Sequence, residues 1–179
     1  MSSQPYLASE DSAFLRGMLR AYHGERCLEI GAGNAGNLVD LTERFKTVVG
    51  TDLVKPSMSD WKARGANFIL ADGSSCLRDS SVDLVAFNPP YLKEGGTGDT
   101  TVEGGEELEA PRKFLEGAVR VIKPAGKIVM LLNDEAEIGK IEDGLASRGL
   151  RLRRLASKRL FFEELSVYEA SIASDSFRH

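Results

Sequence analysis

The sequence predicts an α/β protein: a doubly wound, seven-stranded, mostly parallel sheet with an antiparallel C-terminal strand and helices on both faces. Three observations carry this. Short apolar runs alternate with stretches of helical period. A glycine-rich turn, GAGNAG, joins the first such run to a helical stretch. Two strand-like segments close the chain with no helix between them, close enough to pair as a hairpin.

Taken in order, the first helix is predicted from about Ser9 to Tyr22, with Phe14, Leu15, Met18, Leu19 and Tyr22 on one face. ERCLEI (Glu25–Ile30) is a short buried strand, and the next helix turns Leu38, Leu41 and Phe45 inward. KTVVGTD (Lys46–Asp52), NFILADG (Asn67–Gly73) and SVDLVAF (81–87) are the second to fourth strands. Lys93–Ala110 is a Gly/Glu/Thr-rich loop. PRKFLEGAVRVI then gives a helix with proline near its start, where its missing N–H costs nothing. GKIVMLLN (Gly126–Asn133) is the fifth strand, EAEIGKIEDGLASRG a helix ending at Gly149, and LRLRRLASKRL and FFEELSVYEASI the hairpin.

The crossover between the second and third strands, LVKPSMSDWKARGA, is short and carries little helical period. The third strand is therefore expected as a sheet edge, open either to another chain or to its own irregular crossover.

At 179 residues, with 42% hydrophobic and 28% charged residues, the chain reads as one globular domain. Residues 1–24 form a helical lead-in and 173–179 a frayed tail. Net charge is −4, and the one basic run, Arg148–Arg159, reads as a solvated strand edge, so no direct nucleic-acid contact is expected. Cys27 and Cys76 are far apart and outside any CxxC, so neither a disulfide framework nor a metal site is expected, and both read as core. The polar start MSSQPYLASEDS lacks signal-peptide character, and no run is long enough to span a bilayer. A cytoplasmic location follows as the expectation.

Gly31, Gly33 and Gly36 form a GxGxxG turn after the first strand, the Rossmann-like arrangement that lets backbone amides approach a nucleotide. Alone the pattern is common. Three acids sharpen it. Glu29 lies two residues before the first glycine, where a carboxylate repels a pyrophosphate but suits an ammonium. Asp52 ends the second strand, placed for both ribose hydroxyls. Asp72, before Gly73 in ADG, is placed for the edge of an adenine. A cationic nucleoside without phosphate fits them, and S-adenosylmethionine is such a compound; a dinucleotide or an empty structural turn are the competing readings.

The fourth strand runs into Asn88-Pro89-Pro90-Tyr91. Two prolines fix two φ angles, remove two donors and push Asn88 out of the helical region. The stiff corner that results presents an amide oxygen, bare carbonyls and an aromatic ring. The Asn88 oxygen and the carbonyl on the Pro89 side can accept from a planar NH2 group, turning its lone pair toward a methyl donor, and Tyr91 can stack on the plane. By this reasoning asparagine is preferred to aspartate only because it stays neutral, since either oxygen can accept. Asn88, Pro89 and Tyr91 are the catalytic candidates, with Pro90 beside them. No general base stands out, since the methylated nitrogen is acidic enough to lose its proton to water.

NPPY after such a strand resembles the amino-methyltransferases of nucleic-acid bases and the HemK-like enzymes that methylate a release-factor glutamine. YLASEDSAFL (Tyr6–Leu15) resembles the HemK-like N-terminal signature, with Leu7-Ala8-Ser9 in place of its proline. EELSVYEASI resembles the closing strand of the eukaryotic and archaeal branch, and DTTVEGGEE (Asp99–Glu107) its Gly-Gly loop, Val102-Glu103 replacing the usual aromatic. The likeness runs from about Tyr6 to Ile172. It implies contacts to cofactor or substrate from Ser12, Glu29, Gly31, Gly33, Asp52, Leu53, Asp72, Gly73 and Asn88, and substrate contacts from Gly104 and Gly105. It also implies N5-methylation of the GGQ glutamine of a class 1 release factor, and a small zinc-binding activator subunit paired with the third strand. An RNA or DNA amino-methyltransferase is the second reading, and a silent nucleotide-binding scaffold the third.

Overall fold

A computed structural model of the chain describes residues 10–33, 36–38, 40–56, 65–89, 109–133, 136–160 and 163–172. Residues 93–108 of the predicted loop Lys93–Ala110, Pro90 and Tyr91, Gly104 and Gly105, the N-terminal Tyr6–Ser9 and the tail lie outside them, while Glu109 and Ala110 already belong to a helix.

Seven strands form one sheet in the order β3-β2-β1-β4-β5-β7-β6. They are β1 Gly24–Ile30, β2 Phe45–Asp52, β3 Asn67–Leu70, β4 Val82–Phe87, β5 Ile122–Asn133, β6 Leu150–Leu160 and β7 Glu163–Ile172. β1 to β5 pair in parallel, and β7 runs antiparallel to both β5 and β6. The hairpin therefore does not simply add an antiparallel edge. Its second strand inserts beside β5, and the edge, β6, points the same way as the parallel strands. β3 forms the opposite edge and, among the described residues, pairs with β2 alone.

The helices among the described residues are α1 Glu10–Leu19, α2 Glu109–Val121 and α3 Ile138–Ala146. Alternation along the strands splits the core into two layers. On one face Cys27, Leu84, Ala86, Val129 and Leu131 meet Leu15 and Leu19 of α1. On the other, Leu28, Ile30, Val85, Phe87 and Met130 meet Ala118, Val121 and Leu145 of α2 and α3.

Several boundaries differ from the sequence reading. The described residues after the glycine turn form successive turns rather than a continuous helix, with Leu41 N donating to Leu38 O at 3.0 Å, and Phe45 opens β2. Leu38, Leu41 and Phe45 are nevertheless buried as expected. β3 stops at Leu70, so Asp72 and Gly73 stand in the turn beyond it. β5 starts at Ile122, because its ladder to β4 resumes across a register shift that lets Pro124 bulge without a donor. Cys76 is exposed, not core, because that same turn faces solvent; Cys27 is buried.

Glu169 of β7 ties the α1 side of the sheet together. It is 7% exposed, accepts from Tyr22 Oη at 2.6 Å and from Arg153 at 3.1 Å, and lies near Lys127. Burial raises the Tyr22 phenol, and the Glu169 bond raises it further. Burial also opposes the charge on Glu169, but the Tyr22 bond, Lys127 and Arg153 outweigh it and hold the carboxyl below its usual range. A depressed carboxyl stabilises the fold above the unfolded pKa, and that contribution fades as pH falls through the folded value. Tyr22→Phe should therefore cost about 1.5 kcal/mol at neutral pH, since a bond to a charged acceptor is lost. The difference in thermal midpoint from wild type should shrink in acid.

Candidate functional site

Strand register places the predicted residues at one end of the sheet. Ile30 lies level with Thr51 and Phe87, and Asp52 with Leu70, so the glycine turn, the Asp52 turn and Asn88 open side by side at the carboxyl ends. Gly31 and Gly33 have φ of +70° and +47°, which a side chain would strain. A β-carbon at Gly31 would also approach Phe114 of α2 to 3.3 Å, and Phe114 in turn meets Phe87 edge-on.

Glu29 faces the α1 side, one step below that rim, and is 2% exposed. Asn37 Nδ2 donates to its Oε1 at 2.6 Å, while Oε2 is buried without a partner among the described residues. Burial pushes this carboxyl up to about 8; the Asn37 bond pulls it down, and the Asp52 charge adds to the rise. A raised acid keeps its proton in the native state where the unfolded chain has lost it. Stability should thus fall as pH rises from the usual carboxylate range to about 8. Glu29→Gln should flatten this dependence in pH-resolved melting.

Asp52 accepts Gly33 N–H at 2.9 Å through Oδ2 and Val54 N–H at 2.9 Å through Oδ1. It therefore shapes the glycine turn, and each oxygen keeps a lone pair for a further donor. The next residue, Leu53, is 71% exposed, an uncovered apolar side chain beside that carboxylate. Asp72 pairs with Lys113 of α2. Its turn is pinned to the same helix by Ser74 Oγ, which donates to Gly117 O at 2.9 Å, and Gly73 has φ +54° with open space around it.

Asn88 continues the α1-facing parity of Leu84 and Ala86. Its Nδ2 donates to Asp11 Oδ2 at 2.9 Å, while its Oδ1 is buried and without a partner among the described residues. Pro89 is buried behind it. Asp11 is 5% exposed, and its other oxygen accepts Ser12 N–H at 2.9 Å. Ser12 thereby stands next to the corner. Asn133, at the end of β5 on the same face as Val129 and Leu131, adds another buried Oδ1 without a partner among the described residues.

Sequence reasoning missed Asp11, Asn37 and Asn133. For Asn133 the signal was a polar residue closing an apolar strand at the carboxyl end. Asp11 lay inside the Glu-Asp-Ser signature but was given no role, and Asn37 gave no signal, because only tertiary pairing shows what each holds.

Glu29 Oε2, Asn37 Oδ1, Asn88 Oδ1 and Asn133 Oδ1 are buried acceptors that no described donor satisfies. Each such atom costs about 1–3 kcal/mol. An end of the sheet lined with idle acceptors suits a ligand rich in N–H donors or positive charge, such as an ammonium and an NH2 group.

No protein-family model matches the chain. It is 33% identical over 129 residues to a ribosomal RNA large subunit methyltransferase G of Streptomyces avermitilis, a match that takes in 67% of this chain and 32% of that protein. The chain thus spans about a third of the length of that curated relative. Among solved structures, Mtq2 in the E. cuniculi Mtq2–Trm112 complex, which methylates the translation termination factor eRF1, superposes with a TM-score of 0.78 at 27% identity. That match covers 94% of this chain and 98% of the other. The chain has the class I S-adenosylmethionine-dependent methyltransferase fold. S-adenosyl-L-methionine is the cofactor this fold implies. An RNA methyltransferase structure of Pyrococcus horikoshii shares the methyltransferase fold at 17% identity and a TM-score of 0.66, over 93% of this chain and 83% of its own.

For this fold's cofactor the residues present are a fit. Glu29 and Asn37 could hold an ammonium, Asp52 ribose hydroxyls, Leu53 one face of a base, and Asp72 with Gly73 its edge.

Proposed function

We infer that the chain is an S-adenosylmethionine-dependent methyltransferase acting on a planar NH2 group, and that this group is a glutamine side-chain amide of a protein. The observation that carries the reading is the Asn88 Oδ1 at the end of β4, buried and unpartnered among the described residues, with the buried Glu29 on the neighbouring strand. When bound, the cofactor supplies an electrophilic methyl group on its sulfonium. Asn88 Oδ1 and the carbonyl of Pro89 accept the two N–H groups of the acceptor amide, which turns the nitrogen lone pair out of conjugation and toward the methyl group. The same oxygens stabilise the positive charge that grows on nitrogen. Pro90, Tyr91, Gly104 and Gly105, which lie outside the described residues, are the further residues we assign to substrate contact.

The likeness to Mtq2 over nearly the whole of both chains favours the GGQ glutamine of a class 1 release factor as acceptor. Net charge −4 speaks for a protein over an RNA. So does the pairing of the basic β6 with its own chain, Arg153 with Glu169, Arg154 with Glu164 and Lys158 with Glu10. An RNA amino group is the second reading, favoured by the 33% identity to a ribosomal RNA methyltransferase.

A small activator subunit fits the free edge of β3. That strand has only four residues and ends at Leu70, 60% exposed, with Leu53 and Val54 exposed beside it on β2's end. An added strand would satisfy the edge amides and cover the apolar patch.

Labelled methyl donor offered with a release factor or with total RNA distinguishes the acceptors. Label on the release-factor glutamine is the expected outcome, and label only in RNA would overturn the protein reading. Each assay should be run with and without a candidate activator, since a lone catalytic chain with an uncovered edge can be inactive.

A further inference from the structure

We propose that Asp11 is a positioning residue that locks the Asn88 amide in one orientation, and that this lock is why the corner carries asparagine rather than aspartate. The proposal rests on the reading of Asn88 as the acceptor of substrate N–H groups. An amide has two ends, an oxygen that accepts and a nitrogen that donates, and a rotation of half a turn exchanges them. Only the oxygen serves the proposed chemistry. A nitrogen pointed at a substrate NH2 would set donor against donor.

The chain settles this from the first turn of α1. Asp11 is a buried carboxylate that only accepts, so the end of Asn88 it faces must be the nitrogen; the bond is 2.9 Å. Asn88 Oδ1 is then forced to the opposite side, where it is buried and idle among the described residues. Asp11 is itself fixed, because its second oxygen takes the Ser12 N–H. The carboxylate also polarises the amide it holds, which leaves Oδ1 the better acceptor.

The sequence-level view preferred asparagine only for its neutrality; the bond to Asp11 adds a second reason. Aspartate at 88 would place two carboxylates within 2.9 Å of one another with no donor between them. Acidic residue 11 and amide residue 88 form one device, and neither is interchangeable alone.

A reciprocal exchange tests it. In Asp11→Asn/Asn88→Asp the donor moves to position 11, and residue 88 keeps one carboxylate oxygen free for the substrate. Asp11→Ala should lower kcat about 100-fold with donor Kd little changed, as expected for a reacting group held out of register. Asp11→Asn should fall between Asp11→Ala and wild type, because its amide can accept from Asn88 but no longer excludes the flipped orientation. Asn88→Asp alone should be nearly inactive, and the double exchange should recover at least about tenfold over it. Melting temperature and donor Kd of every variant establish that it is folded. A double exchange no better than Asn88→Asp, or an Asp11→Ala enzyme with wild-type kcat, would overturn the lock.

The lock is also read without activity. The Asn88 side-chain NH2 signals should show slowed hydrogen exchange in wild type and lose it in Asp11→Ala. Unchanged signals would refute the lock, whereas a wild-type chain that methylates no amide or amine while keeping them would refute only the proposed function.

Discussion

Asn88→Ala is expected to lower kcat for methyl transfer about 100- to 1,000-fold, the usual loss when one preorganised acceptor or donor is removed from a reacting centre. The dissociation constant for S-adenosylmethionine should stay within about threefold of wild type, because the lost interaction is made with the acceptor as charge develops on it. Single-turnover rates with saturating release factor, alongside equilibrium binding of the donor, separate the two effects. The physical basis is the position of Oδ1. It is buried and unpartnered among the described residues, so its desolvation has already been met on folding and needs no rearrangement when the substrate arrives. Equal loss of donor binding and turnover would mean that Asn88 serves the cofactor instead.

Glu29→Gln is expected to weaken donor binding about 100-fold, as for truncation of one partner in a buried charge pair. The pH dependence is the sharper signature. In the free chain the carboxyl titrates at about 8, so near neutrality it holds a proton that an ammonium must displace. Binding should then release close to one proton, and affinity should rise by up to about tenfold per pH unit from about pH 6 to about pH 7.5. Above that range the ammonium of the ligand itself begins to lose its proton, so the rise should level off. Calorimetry in two buffers of different ionisation enthalpy reads the proton directly. Glu29→Gln should bind weakly and without that pH dependence.

The strands were legible because each is a short apolar run closed by a turn signal, and their mostly parallel pairing follows from alternation with helical segments. The doubly wound sheet, its Gly31 turn and the Asn88 corner all came from local pattern. Boundaries failed where the third dimension decides them. Nothing within KPAG says that β5 already pairs at Ile122, because the bulge that follows is defined by β4. The turns around Leu38 and Leu41 carry helical spacing, yet spacing fixes which side is buried and not whether the turns join. Glu29, Asp52 and Asn88 were found as chemistry-bearing residues at strand ends. Their partners were not, because Asn37 and Asp11 lie 8 and 77 residues away from the groups they hold. Sequence names the groups that meet a ligand more readily than those that aim them.

The basic strand β6 shows the same limit in reverse. As a run of letters it looks like a polyanion site, and only the fold shows Arg153, Arg154 and Lys158 engaged by acids from β7 and α1. A free edge with paired cations is what an edge strand needs to resist adding another strand.

The rim of idle acceptors around Glu29 and Asn88 is the feature on which the functional account turns. A crystal structure of the chain with S-adenosylhomocysteine tests it most directly. The account predicts the ammonium within hydrogen-bond distance of Glu29 Oε2, the ribose on Asp52, and the sulfur facing Asn88. An ammonium turned to solvent with Glu29 still unpartnered, or the nucleoside seated away from the Gly31 turn, would contradict it.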